Sequence, residues 1–177
     1  MARTQRSRGQ DEKREQILAA ARTLFLEEGY EGASISCLSA ATGLDPDTLY
    51  WYFKDKDEIL VGVLEREFAV RVADYLQLSI FDPTERLLWV VNQFEQVSRL
   101  VRSVFARSET SPLIQTWRDR FHDLSEDVLR RELEKAAIAP EKLDAWIKIC
   151  VFSIEGMLAH PVSQEQKRAI CALLASA

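Results

Sequence analysis

Tyr50, Trp51, Tyr52 and Phe53, followed closely by Lys54 and Lys56, put four ring faces and two ammonium groups into seven residues. On a helix that turns about 100° per residue, four consecutive rings cannot all face one core. One or two must point outward, and exposed aromatics beside lysines suit contact with phosphates and base edges. Other chemistries find less support. His122 and Glu126 have the i, i+4 spacing of a helical metal pair, but no third ligand accompanies them. No glycine-rich phosphate loop or nucleophile elbow occurs. The expectation is therefore a protein that is not an enzyme and has no metal site and no cofactor. Cys37, Cys150 and Cys171 are odd in number and widely spaced, as buried thiols of a reducing cytoplasm would be, with a thiol sensor at Cys150 or Cys171 as the alternative.

The segment that must hold these rings reads as two short helices around a tight turn. Gly43 can take the left-handed conformation that stops a helix. Asp45 follows as an N-cap, Pro46 occupies the first helical position and Asp47 lies in the first turn. Leu38, Leu44 and Leu49 supply the buried side, and Ser39 is small enough for close approach. An ordinary corner between helices would explain the turn alone. With the aromatic run it reads as a helix-turn-helix, whose second helix enters the major groove of DNA.

About a third of the chain resembles the DNA-binding domain of TetR-family transcriptional regulators. The resemblance rests on Ile17-Leu18-Ala19-Ala20-Ala21, Leu24-Phe25, Gly29-Tyr30-Glu31-Gly32-Ala33-Ser34-Ile35, Gly43-Leu44, Thr48-Leu49-Tyr50, Tyr52-Phe53, Lys56 and Ile59-Leu60. It implies that Tyr50 and Lys56 touch phosphates, that Thr48, Trp51 and Tyr52 contact bases or backbone, and that Ser34 and Lys54 lie on the DNA side. Pro46 and Asp47 stand where the family has small or basic residues. Asp45 and Asp47 are both counted among the candidate DNA contacts: Asp47 is open to two readings, acceptance of a hydrogen bond from cytosine or simply the start of a helix, and Asp45 is read as a cap ahead of a base reader.

The remaining length, in a chain of 177 residues with 47% hydrophobic content, reads as helix throughout. The expected fold is all-α. A basic flexible arm spans 1–10, a three-helix DNA-binding domain with the helix-turn-helix spans 11–56, and a helical effector-binding and dimerisation domain spans 57–177. Boundaries follow from caps: a helix over 11–28, one after Ser34, one from Lys56 to about Leu78 capped by Asp55, and one from Asp82-Pro83 to about Arg107. Further helices follow Ser111-Pro112, run from Pro140 to His160, and follow Ser163 to Leu174. No run of apolar residues is long enough to span a membrane, and no secretory signal is present, which leads to a cytoplasmic expectation. The net charge of −5 is distributed unevenly. Arg3, Arg6, Arg8, Lys13 and Arg14 outnumber Asp11 and Glu12 at the start, but basic and acidic side chains nearly balance over residues 1–56, so non-specific affinity should be modest and dimerisation should matter for DNA binding.

The helix over 140–160 is apolar on more than one side, as a helix buried on two sides would be. In the family the last two helices pair with their counterparts in a four-helix homodimer interface. The resemblance therefore places Cys150, Phe152, Met157, Leu158, Ile170, Leu173 and Leu174 against a second copy. It also makes the middle helices an effector site, with Trp89, Asn92, Phe94, Phe105, Trp117, Arg118, Phe121 and His122 as candidate lining. Their aromatic richness suggests an apolar or aromatic small molecule. The implied partners are an operator in double-stranded DNA, that effector and a second copy. The alternative is a helical interaction module that no longer binds DNA.

Overall fold

The computed structural model describes residues 2–135 and 139–176. Ten helices are formed by the described residues, in the order α1 (Ala2–Glu27), α2 (Gly29–Gly32), α3 (Ile35–Thr42), α4 (Pro46–Tyr52), α5 (Lys56–Leu76), α6 (Pro83–Glu95), α7 (Ser98–Ser108), α8 (Pro112–Lys135), α9 (Pro140–Ala159) and α10 (Gln164–Ala175). No strand occurs among them. The fold is all-α, as the sequence predicts.

Local capping chemistry sets most of the boundaries. The Ser34 hydroxyl accepts from the Cys37 amide at 3.1 Å, and an Asp45 carboxylate oxygen accepts from the Thr48 amide at 2.9 Å. Asp55 accepts from the Glu58 amide at 2.9 Å and caps α5, while Glu58 reaches back to accept from the Lys54 amide at 2.5 Å. Asp82 caps α6 by accepting from the Glu85 amide, and Ser163 caps α10 in a capping box with Gln166. Gly43 closes α3 at φ +68°, where a side chain would be strained.

Three expectations about elements are corrected. Helix α1 begins at Ala2, so residues 2–10 belong to a helix and not to a flexible arm. A separate turn of helix, α2, begins at Gly29, whose φ of +75° separates it from α1. The helix expected from Asp82 to about Arg107 is broken at Gln96–Val97, between α6 and α7. Neither glycine nor proline marks that break. The apolar stripe changes phase there: Leu88 and Val91 are buried before it, and Val97, Leu100 and Val104 after it. The interval from Val91 to Val97 does not fit an uninterrupted 3.6-residue repeat.

The chain packs as two units. The first comprises Met1–Val72 and Arg99–Gln115, and the second Ala73–Ser98 and Thr116–Ala177. Packing thus crosses the division expected at residues 56 and 57, because Ile59, Leu60 and Val63 of α5 are buried in the first unit. Its core gathers Ile17, Leu18, Ala21 and Phe25 from α1 with Leu38, Leu49 and Phe53, and Phe25 stacks on Tyr30 at 5.8 Å. Glu67 of α5 accepts from Arg22 of α1 at 2.5 Å and from Arg71 at 2.7 Å, which ties α1 to α5.

In the second unit α6 packs mainly on α10 and also on α9. Leu133, Leu143, Ile147, Cys150, Val151 and Leu174 form one apolar cluster, and Leu88, Val91, Met157 and Cys171 form another. Lys167 is only 2% exposed, and its ammonium donates to Glu95 at 2.6 Å. Helices α8 and α9 are joined along one side by His122–Glu155 at 3.3 Å, Glu126–Lys148, and Arg130–Asp144 at 2.7 Å. The partners descend on α9 as they ascend on α8, so the two helices are antiparallel. His122 and Glu126 therefore meet different partners on α9 and do not converge as a metal pair.

Candidate nucleic-acid interface

Helix α4, expected to face DNA, is only seven residues long, too short to persist alone in water. It is held from three directions. Asp45 and Pro46 fix its start, Leu49 is buried beneath it, and Phe53 is buried at its end. The turn before it is tied by side chains. Ser39 donates to the Leu44 carbonyl at 2.5 Å, Thr42 donates to the Leu38 carbonyl at 2.7 Å, and Gln16 of α1 donates to the Thr42 carbonyl at 3.1 Å. Burial of Leu49 and Phe53 forces their neighbours outward. Tyr50 is 51% exposed and Trp51 66%, with the Trp51 ring edge-on to half-buried Tyr52 at 4.7 Å.

The expected DNA-facing residues divide by how their polar atoms are used. Both carboxylate oxygens of Asp45 accept from Thr48, one from its amide and one from its hydroxyl at 2.8 Å. Those two bonds hold the Asp45 carboxyl below its usual range and leave it as a cap. Asp47 and Lys54 are exposed. Ser34 is exposed but engaged with Cys37. Lys56 turns inward: its ammonium donates to the Tyr30 carbonyl at 2.7 Å and lies 4.0 Å from the centre of the Tyr30 ring. Burial lowers its affinity for a proton below the ordinary value. Arg14 is likewise drawn in, 5.0 Å over the Phe53 ring.

Two features escaped the sequence. Gln16 and Thr42, which lock the turn, carry no signal beyond their polarity. Cys37, expected as a buried thiol, is exposed, and the neighbouring Ser34 hydroxyl lowers its thiol below the ordinary value. Cys150 and Cys171 are buried, and burial pushes Cys150 up to about 11 and Cys171 upward as well. Labelling of the native protein with a thiol-reactive disulfide is therefore expected to modify one cysteine rapidly, and peptide mapping should place it at Cys37. Two or three fast-reacting thiols would contradict the packing of α9 and α10.

The first unit also carries a pH dependence of defined sign. Burial raises the Asp57 carboxyl, but hydrogen bonds from Arg107, Tyr30 and Ser111 outweigh it and leave it below 3.8. Glu67 is likewise raised by burial and brought below its ordinary 4.5 by Arg22 and Arg71. Depressed carboxylates add stability above their unfolded values and lose it as pH falls through the folded ones. Urea unfolding midpoints measured from about pH 6 down to about pH 2 should therefore fall below roughly pH 4, and Asp57→Asn with Glu67→Gln should flatten that decline.

The expected effector residues are not brought into one place. Phe94 meets Phe121 edge-on at 5.6 Å, Trp117 stacks on Phe121 at 5.3 Å, and His122 lies 6.1 Å from Phe121. Trp89 pairs instead with Tyr75 at 6.3 Å. Arg118 lies 3.5 Å from Asp119, and Asn92 has its side-chain oxygen buried without a hydrogen-bond partner. Phe105 is a correction: it is exposed and belongs to the first unit. The dimer-facing set also needs correction, since Cys150, Met157 and Leu174 are packed within the second unit's own core. Leu158 and Ile170 are half-buried, whereas Phe152 is 66% exposed and Leu173 70%, joined by exposed Ile149.

Residues 17–63, which contain the capped turn and α4, match the model of the bacterial regulatory proteins of the tetR family. The HTH-type transcriptional repressor AcnR of Corynebacterium glutamicum is 31% identical over 134 residues, covering 69% of this chain and 66% of that protein. The chain belongs to the TetR family. AcnR of Corynebacterium efficiens is 28% identical over 160 residues, covering 85% of this chain and 80% of that protein. The TetR-family fold extends beyond the matched segment. A transcriptional regulator from Rhodococcus sp. Rha1 superposes with a TM-score of 0.77 at 17% identity, over 92% of this chain and 93% of that one. A regulator from Saccharomonospora viridis, solved in complex with choline, superposes with a TM-score of 0.70 at 21% identity, over 92% of this chain and 94% of that one. As a TetR-family member the chain is a DNA-binding transcriptional regulator. Among its described residues no helix is long and apolar enough to cross a membrane.

Proposed function

We propose that this TetR-family protein is a repressor that binds a pseudo-palindromic operator as a homodimer and is released by a small apolar or aromatic effector. The observation that carries the reading is α4, a helix capped by Asp45, anchored by Leu49, and turning Tyr50 and Trp51 outward. Thr48, Tyr50, Trp51, Tyr52 and Lys54 are the proposed contacts, with Asp47 at the edge of the same surface. Lys56 contributes by fixing Tyr30 as much as by its charge. Two reading helices about 34 Å apart would enter successive major grooves of one duplex face. Phe152 and Leu173 are the proposed centre of the contact that sets this spacing. Phe94, Trp117, Phe121 and His122 are the proposed effector lining.

Release follows from linkage. An effector that binds one conformation better shifts the population toward it, and coupling of about 1–3 kcal/mol is typical. Helix α5 is the element for this, because it starts at the reading helix and continues beyond Val72 into the second unit. The test is fluorescence anisotropy with labelled duplexes tiling the DNA beside the coding region, at two salt concentrations, with a scrambled duplex as control. Tight binding to one tile supports the regulator. Binding to every tile no tighter than to the scramble favours an interaction module, for which exposed Asp47 on the first turn of α4 would be the reason.

A further inference from the structure

The first unit contains a second chain segment, Arg99–Gln115, whose helix α7 reaches the reading head at two points. Arg99 donates to the Glu27 carbonyl at the end of α1. One residue before the end of α7, Arg107 donates through Nη2 and Nε to the two carboxylate oxygens of Asp57, at 2.8 and 3.3 Å. Asp57 is the second residue of α5, directly after the reading helix and its exit turn. The Tyr30 hydroxyl donates to the same carboxylate, and Tyr30 belongs to α2, directly before α3. The Arg107 guanidinium also lies 5.1 Å from the Tyr30 ring centre. Arg107 therefore holds the chain where it enters the helix-turn-helix and where it leaves it.

We infer that Arg107 is a positioning residue for operator recognition, acting through Asp57 and Tyr30 to fix the orientation of α3 and α4. The inference rests on the reading of α4 as the DNA reader. A forked guanidinium–carboxylate pair carries direction as well as charge, which a point charge does not. The Asp57 side chain is mostly shielded and that of Arg107 partly so, which keeps the pair from the screening that weakens surface pairs. Base readout needs α4 at one angle, whereas non-specific binding needs only positive charge near phosphates. Loss of the fork should therefore lower the preference for operator over random DNA.

The experiment uses the full chain and a duplex that the wild-type protein enriches from a random-sequence pool. Dissociation constants for that duplex and for a scrambled one are measured for wild type, Arg107→Met, Arg107→Lys, Asp57→Asn and the Met/Asn double variant. Thermal unfolding and active fraction are measured for each. Arg107→Met is expected to lower the specific-to-non-specific ratio about tenfold, and Arg107→Lys about threefold, with non-specific affinity kept within about twofold. The losses in the double variant should fall short of the product of the two single losses, since both substitutions remove the same fork, while Asp57→Asn also weakens the bonds from Tyr30 and Ser111. A ratio unchanged in a folded variant overturns the inference, as does an equal loss of both affinities, the signature of less folded protein. If Arg107→Met does not fold, Arg107→Lys decides by the same criterion. A wild-type protein that enriches no sequence overturns the reading of α4 itself, before any variant is compared.

Discussion

Tyr50→Ala combined with Trp51→Ala is expected to raise the dissociation constant for operator DNA by about 100-fold or more, with helical content unchanged. Each contact to a base or to the backbone beside it carries about 1–3 kcal/mol, and a dimer makes each contact twice. The cost to the fold is small, because both side chains are more than half exposed and Leu49 and Phe53 keep α4 in place. Within the protein, the substitutions remove the edge-on packing of Trp51 against Tyr52, in a class of ring pairs worth about 0.5–1.5 kcal/mol. Anisotropy titrations, with circular dichroism and melting as controls, check the expectation. Retained affinity would mean that these rings face something other than DNA.

The second large effect is on assembly. Phe152→Glu with Leu173→Glu is expected to convert a dimer into a monomer and to weaken operator binding by about 100-fold. Burying one Phe or Leu side chain contributes about 1.5–3 kcal/mol, and a two-fold axis counts each residue twice. A carboxylate placed there would be buried without a partner. Sedimentation at micromolar concentration reads the assembly state directly. Met157→Ala provides the contrast. Its side chain lies inside the second unit's core, so it should lower the unfolding temperature while the dimer survives. A dimer that withstands both glutamates would place the interface elsewhere on the chain.

The features legible in the sequence were those whose chemistry closes within a few residues. Ser34, Asp45, Asp55, Asp82 and Ser163 each accept from an amide three residues on, and no distant partner is needed to predict that. Pro46 and Gly43 act through their own backbone torsions. Long-range features were not legible. The sides of α9 look alike by composition, yet one holds Ile147, Cys150 and Met157 in the core and another leaves Ile149 and Phe152 in solvent. The break at Gln96–Val97 follows from where the buried residues of α6 and α7 must face, not from any breaker residue. Arg107 reads in the sequence as an ordinary charge near the end of a helix, because its partner Asp57 is fifty residues earlier. Lys56 shows the same limit from the other side. Its place in the motif suggested a phosphate ligand, while the acceptor its ammonium meets is the Tyr30 carbonyl, invisible to any pattern of side chains.

The burial of Lys167 gives the protein a built-in reporter for chemical footprinting. Its ammonium lies on Glu95 at the seam between α10 and α6, while Lys13, Lys54, Lys142 and Lys148 are exposed. An amine-acylating reagent would mark those four at once and reach Lys167 only when α10 lifts from α6. The mass of one peptide, followed over time, would then give the opening rate of that seam without any label engineered into the chain.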